Sequence, residues 1–261
     1  MVTNISRQSR YNGDDIRDLV RNHHYLIRLS DESSITPLLE NGFTASDDEF
    51  DRPISGPNWK RNYHNKRGDT KWVYRKDNLK DIVAHVAGGW AGYGNGSASK
   101  WISTSADFHW AIWEIARRIK VLGRDEVFMS VIQRRERYSR RYKGTKDIHF
   151  EATPLLGRHL DGLSHSSDDI ESVNKAIAVA GRSAEVLYYG RIFGKDIIET
   201  TAWTRDSTPC KIPQYCFIPR KRWLPGQSWI DRLIFDPRYD SAWAAEQRMD
   251  QRREQIAQSR S

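Results

Sequence analysis

The sequence predicts an α+β fold. Helical patterns crowd its first half and short strands its second, so helices and strands do not alternate as a βαβ series would require. The apolar share of 38%, with ten Trp and eleven Tyr, supplies one real core surrounded by long polar connections. A chain of 261 residues suits one larger domain, or one domain with appendages.

The elements follow in order. Residues 14–22 put Ile16, Leu19 and Val20 on one helical face, with acids in the first turn. YLIRLS, residues 25–30, reads as a strand. Thr36 and Pro37 open a short helix that Gly42 closes, and Phe43 follows as a core anchor. Residues 44–77 are polar and irregular, with seven Lys or Arg interleaved with Trp59, Tyr63, Trp72 and Tyr74 between Asn58 and Asp77. A helix over 78–87 carries Leu79, Ile82, Val83 and Val86. The glycine-rich run from Gly88 to Ser97 has no strand before it and no helix directly after it, so it fails the dinucleotide fingerprint and reads as a mobile loop.

Trp101 and Ile102 end an apolar strand at Ser103, Thr104 and Ser105. Phe108, Ile112, Ile115, Ile119 and Leu122 then recur at helical spacing until Gly123, with Ser105 as the expected cap. Residues 126–133 read as a buried strand, 134–143 as a basic aromatic segment, and IHFEATPLL as another short strand. Ser167 caps a helix running to about Ala180. Residues 182–203 make two strands around the turn at Gly190–Lys195, and YCFIPRKRW makes a last one. The expected divisions are an arm at 1–13, a main domain at 14–205, an extension at 206–239 packing on the core, and a charged tail at 240–261, helical or frayed.

The net charge is +8 and the pI about 9.5. This bears on partners and solubility, not on fold. No stretch of about 18 apolar residues is present, so no membrane span is expected, and the first residues lack the apolar core of a signal peptide. Compartment stays open, since a signal removed earlier would leave no trace. Cys210 and Cys216 allow a small bridge or two separate thiols. No metal site is expected.

Three positions carry chemistry. Arg28 interrupts an apolar strand, Ser103-Thr104-Ser105 sits where a strand meets a helix, and Glu185 opens an apolar strand in Arg182-Ser183-Ala184-Glu185-Val186-Leu187. A carboxylate there is costly unless something pairs with it. Each has an ordinary structural reading as well: an edge arginine, a helix cap, a strand-end acid.

Their order and spacing resemble the mono-ADP-ribosyltransferases of the cholera-toxin class, with pierisin-like relatives. Arg28-Leu29-Ser30-Asp31 and Asn41-Gly42-Phe43 look like that family's first strand and following helix. Trp101-Ile102-Ser103-Thr104-Ser105 looks like its aromatic-hydrophobic-Ser-Thr-Ser strand. Glu185-Val186 with Gly190 and Ile192 keeps the spacing of its Glu-Val-x-x-x-Gly-Gly-Ile segment. The likeness covers residues 14–205 in pieces.

The resemblance implies two small packed sheets around an NAD cleft, with helices mostly from the N-terminal half. It implies a toxin- or effector-like transferase that cleaves the nicotinamide–ribose bond of NAD and passes ADP-ribose to an acceptor. Glu185 would stabilise the oxocarbenium-like ribose and hold its 2′-hydroxyl, as a carboxylate does in glycoside cleavage. Arg28 offers donors to the phosphates or ribose, beside Leu29. Ser103 would aim Glu185, and Thr104 and Ser105 would brace the junction. Ser183 stands where the family carries Glu or Gln toward its acceptor, and serine cannot act as a base toward guanidinium. Water, another protein side chain and a nucleic acid all remain open as acceptors, as does an inactive relative. The cofactor is NAD as substrate, without metal, and a monomer is expected. A reading from another class is a basic nucleic-acid-binding protein, resting on residues 58–77, 134–143 and Arg220-Lys221-Arg222-Trp223.

Overall fold

The computed structural model describes residues 5–22, 24–47, 76–88, 98–134, 149–161 and 167–259. The basic stretches at 58–75 and 135–143, and the glycine-rich run over 89–97, lie outside the described residues. The architecture is α+β, with six α-helices among the described residues, a large mixed sheet and a small antiparallel one.

Two expectations are corrected. The sheets are not two small ones, because β6 (Glu126–Gln133) and β10 (Ile197–Thr204) are eight-residue strands that pair almost end to end. Among the described residues, three helices precede residue 130 and three follow it. The residues expected as a strand after His149 divide into a three-residue strand and a helix, Ala152–Asp161, which buries Ala152, Leu155, Leu156 and His159 at helical spacing. Pro154 lies in the first turn of that helix, where its missing N–H is not needed.

The chain divides into two compact units that alternate along the sequence. The first comprises Ser33–Thr104 and Arg134–Asp196. Its described elements are β3 (Leu38–Leu39), β4 (Gly42–Thr44), α2 (Lys76–Ala87), β5 (Trp101–Ser105, up to Thr104), β7 (His149–Glu151), α4 (Ala152–Asp161), α5 (Ser167–Ser183), β8 (Glu185–Tyr189) and β9 (Arg191–Phe193). β8 lies between β5 and β7, and β3-β4-β9 form the small sheet. One core joins Leu79, Ile82 and Val86 of α2, Trp101 of β5, Leu155 and Leu156 of α4, Val173 and Ala176 of α5, and Leu187 of β8.

The helix expected over 36–42 is instead a tight hairpin. Leu38 pairs with Phe43 and Leu39 with Gly42. Gly42 has φ +110, and a Cβ there would stand 2.0 Å from the Ile192 carbonyl oxygen. The glycine that read as a helix stop is a strand glycine under close backbone approach.

The second unit comprises Val2–Glu32, Ser105–Gln133 and Ile197–Ser261. It holds β1 (Ile5–Ser6), α1 (Gly13–Arg21), β2 (Tyr25–Ser30), α3 (Phe108–Lys120), β6, β10 and α6 (Ala242–Gln258). The strand order is β1-β10-β6-β2, antiparallel except for β1 against β10. α1 and α3 pack on β2. Arg118 of α3 is 1% exposed, and its guanidinium donates to Glu114 and to Asp31, both at 2.9 Å. Removing one member of such a buried set would strand the opposite charge.

The segment 206–239 is held by specific bonds within this unit. Trp229 donates its indole N–H to the Thr204 carbonyl at 2.7 Å and meets Trp203 edge-on. The strand expected at YCFIPRKRW is not formed. Pro219 removes a ladder donor, 3-10 turns occupy Gln214–Cys216 and Arg220–Arg222, and one bridge, Phe217 with Leu233, remains. Trp223 is engaged by the fold: its indole donates to the Ile218 carbonyl, and Arg220 and Arg232 stack on its ring. Cys210 and Cys216 are buried free thiols, and burial pushes the Cys210 thiol up to about 12. The tail is helical, capped by Ser241, with Ala245 and Met249 fully buried, and it packs against α3 and the turn at Gln214–Cys216.

Candidate active site

The first unit carries the site. Alternation along β5 puts Trp101 and Ser103 on one face. Trp101 shares a core with Leu79, Ile82 and Val86, so α2 covers that face. His85, on the same helix, reaches Ser103, with Nε2 2.9 Å from Oγ. Glu185 begins β8, two residues before Leu187 of the same core. The chain reverses sharply to place it there. α5 ends at Ser183, Ala184 takes φ +43, and the strand starts at the next residue. A left-handed alanine stores strain, here one residue from the carboxylate.

Ser103 donates its hydroxyl to Glu185 Oε1 at 2.5 Å, across 82 residues of sequence. Both are buried, at 7% and 3% exposure. A hydroxyl has one proton. With that proton on Glu185, the His85 Nε2 is the donor to Ser103. The chain of contacts therefore runs His85 to Ser103 to Glu185. An acyl-transfer triad is wired otherwise: the serine donates to the histidine, and the acid sits on the far side of the ring. In this wiring the Ser103 hydroxyl fixes one oxygen of the Glu185 carboxylate. A buried, fixed carboxylate of this kind suits stabilisation of a developing cation.

The other sequence candidates are distributed as follows. Thr104, fully buried, donates to the Val186 carbonyl at 2.7 Å and ties β5 to β8 just beyond Glu185. Ser105 belongs to the second unit, where it pairs with Ile27. It is not the cap of α3. Asp107 is, accepting from His109 N at 2.7 Å and Trp110 N at 3.0 Å, while Ser105 Oγ accepts from Asp107 N at 2.9 Å. The carboxylate two residues further along reaches both orphan N–H groups, which the shorter hydroxyl does not.

Arg28 and Leu29 lie on β2 of the second unit. Arg28 is 8% exposed and stands opposite Ser130, while Leu29 is buried opposite Met129. Ser183 is 1% exposed, and its hydroxyl bonds back to the Val179 and Ala180 carbonyls of its own helix. Little of it faces any arriving acceptor.

Sequence reading missed His85. Its signal was available but faint: a polar ring at position 85 beside Ile82 and Val86, on the core-facing side of an amphipathic helix. Without the pairing of helix and strand, that is an ordinary half-buried histidine.

No protein-family model matches the chain, and no curated protein matches it. Among the described residues, no group of three or more His, Cys, Asp or Glu is arranged to hold a metal, and no helix is long and apolar enough to cross a membrane.

A second polar network lies in the other unit. Tyr215 Oη accepts from Arg17 at 2.9 Å and lies 3.0 Å from His109 Nε2. Burial holds His109 below its ordinary 6.5 and raises the Tyr215 phenol. The His109 ring and the Tyr215 hydroxyl share this hydrogen bond, so one phenol joins α1, α3 and the turn at Gln214–Cys216.

Proposed function

We propose that the chain is an NAD-consuming mono-ADP-ribosyltransferase with Glu185 as its catalytic carboxylate. The observation that carries this reading is the Ser103–Glu185 hydrogen bond, which joins two segments picked from the sequence for that chemistry. In the reaction the ribose C1′–N bond breaks, and its electron pair leaves with nicotinamide. The positive charge left on the ribose is met by Glu185, held in place by Ser103. A nucleophile then bonds to C1′ and gives up its proton. His85 keeps the Ser103 lone pair occupied, so the hydroxyl proton stays on the carboxylate. The part played by Arg28 toward the dinucleotide rests on the resemblance.

The burial of Ser183 favours a second reading of the same site. With no base facing an incoming guanidinium at that position, water is the simplest nucleophile, and the products are nicotinamide and free ADP-ribose.

The test is nicotinamide release from NAD by the full chain and by Glu185→Gln, with intact-mass analysis of added acceptors. The variant is expected to lose at least ~10²–10³-fold, the scale of one preorganised electrostatic contact. Equal release by a folded variant would remove Glu185 from the mechanism. A mass gain on an acceptor would choose transfer over hydrolysis.

A further inference from the structure

In the second unit, strand alternation puts Leu26, Arg28 and Ser30 of β2 on one face. Arg28 stands opposite Ser130 of β6, and Ser130 stands opposite Thr200 of β10. The two hydroxyls bond each other at 2.7 Å. A polar row thus crosses three strands, with every member buried. A guanidinium has five N–H donors, enough to serve protein partners and an oxyanion together.

Ser30 departs from the Ser130–Thr200 pattern. It is 2% exposed, and its Oγ has no hydrogen-bond partner. Ser130 and Thr200 satisfy each other, so this part of the sheet is built to pair its hydroxyls. A buried hydroxyl left alone is costly, and alanine would fill the same space without that cost. Its place one β-repeat from Arg28 gives the O–H a second role.

We propose that Ser30 is a ligand-binding residue, whose hydroxyl joins the Arg28 guanidinium on the oxygens of a phosphate-bearing ligand of the nucleoside diphosphate class. The identity of that ligand rests on the NAD reading above. The pairing of Ser30 with an oxyanion rests on this face of the sheet alone. A neutral O–H beside a cation adds a directed donor without adding charge, which suits a diphosphate already met by arginine.

Isothermal titration of the full chain with ADP, and separately with inorganic pyrophosphate, tests the proposal on wild type, Ser30→Ala and Ser30→Thr. Wild type is expected to bind ADP. Ser30→Ala should weaken binding about tenfold, the scale of one hydrogen bond to a charged group, with a melting temperature equal to or above wild type. Ser30→Thr, which keeps the hydroxyl, should bind within a few-fold of wild type. Unchanged ADP affinity in Ser30→Ala would overturn the proposal, as would a lowered melting temperature that marks the hydroxyl as structural. Absence of ADP and pyrophosphate binding in wild type would also overturn it. ADP binding that needs Ser30, in a chain that releases no nicotinamide, would uphold this site and defeat the enzymatic reading. Nicotinamide release with ADP affinity and KM unaffected by Ser30→Ala would do the reverse.

Discussion

Removing the Ser103 hydroxyl tests the wiring of the site most directly. Ser103→Ala takes away the hydroxyl that donates to Glu185 Oε1 and that meets His85 Nε2, in a single step. A hydrogen bond to a charged group is worth about 1.5–3 kcal/mol, which corresponds to roughly 10–150-fold in rate if it is fully expressed in the transition state. His85 acts one bond further away, through a neutral hydroxyl worth about 0.5–1.5 kcal/mol, so His85→Ala should cost roughly 2–10-fold. If His85 works only by holding Ser103, its loss has no further consequence once Ser103 is gone. The double variant is then expected to match Ser103→Ala, not the product of the two single effects. The assay is steady-state nicotinamide release, with the loss expected in kcat and little change in KM for NAD. Thermal unfolding of each variant controls for misfolding. Multiplicative losses would refute the linear chain from His85 through Ser103 to Glu185. Full activity in Ser103→Ala would refute the aiming role itself.

Two further predictions concern the second unit. Arg118→Leu should cost about 3–5 kcal/mol in urea unfolding, because Glu114 and Asp31 are then buried carboxylates that lose a shared cation; a cost below 1 kcal/mol would show that the pair is solvated or neutral. His109 has a folded value below 6.5, so the folded chain binds fewer protons than the unfolded one just under that pH. The stability tied to it is complete above 6.5 and lost as pH falls below, at no more than about 1.4 kcal/mol per pH unit. His109→Gln, which can still hydrogen-bond Tyr215, should flatten that slope in denaturant melts between pH 6.5 and 5. An unchanged slope would assign the acid sensitivity to other groups.

Much of the scaffold was legible before any coordinates. β2 and β6 fall on the residues 25–30 and 126–133 that their apolar runs marked, because a buried strand must be apolar over its whole length. Ile16 and Val20 are the buried face of α1, and its capping box at Asn12 and Asp15 is a local signal. Phe43 is buried as expected of a core anchor. The misses share a cause. Gly42, Pro154 and Ser105 each carry a signal that fits more than one local structure. What surrounds them decided the matter: β9 over Gly42, a first helical turn for Pro154, and Asp107 for the α3 cap.

The amino-acid order alone determined which residue types could do glycosidic chemistry, since a serine, a carboxylate and an arginine in apolar strands are visible without a fold. It also determined most of the strands and helices that carry them, because burial imposes its period on neighbouring residues. Tertiary structure decided what those side chains do. It brought Ser103 onto Glu185 across 82 residues and His85 onto Ser103 from a separate helix. It turned Ser183 inward and left the Ser30 hydroxyl without a partner. Hydrogen bonds depend on distances of a few tenths of an ångström between segments far apart in the chain. Local pattern fixes neither the approach nor the direction of such contacts, so the wiring of the site emerges only once the strands are paired and the helices laid on them.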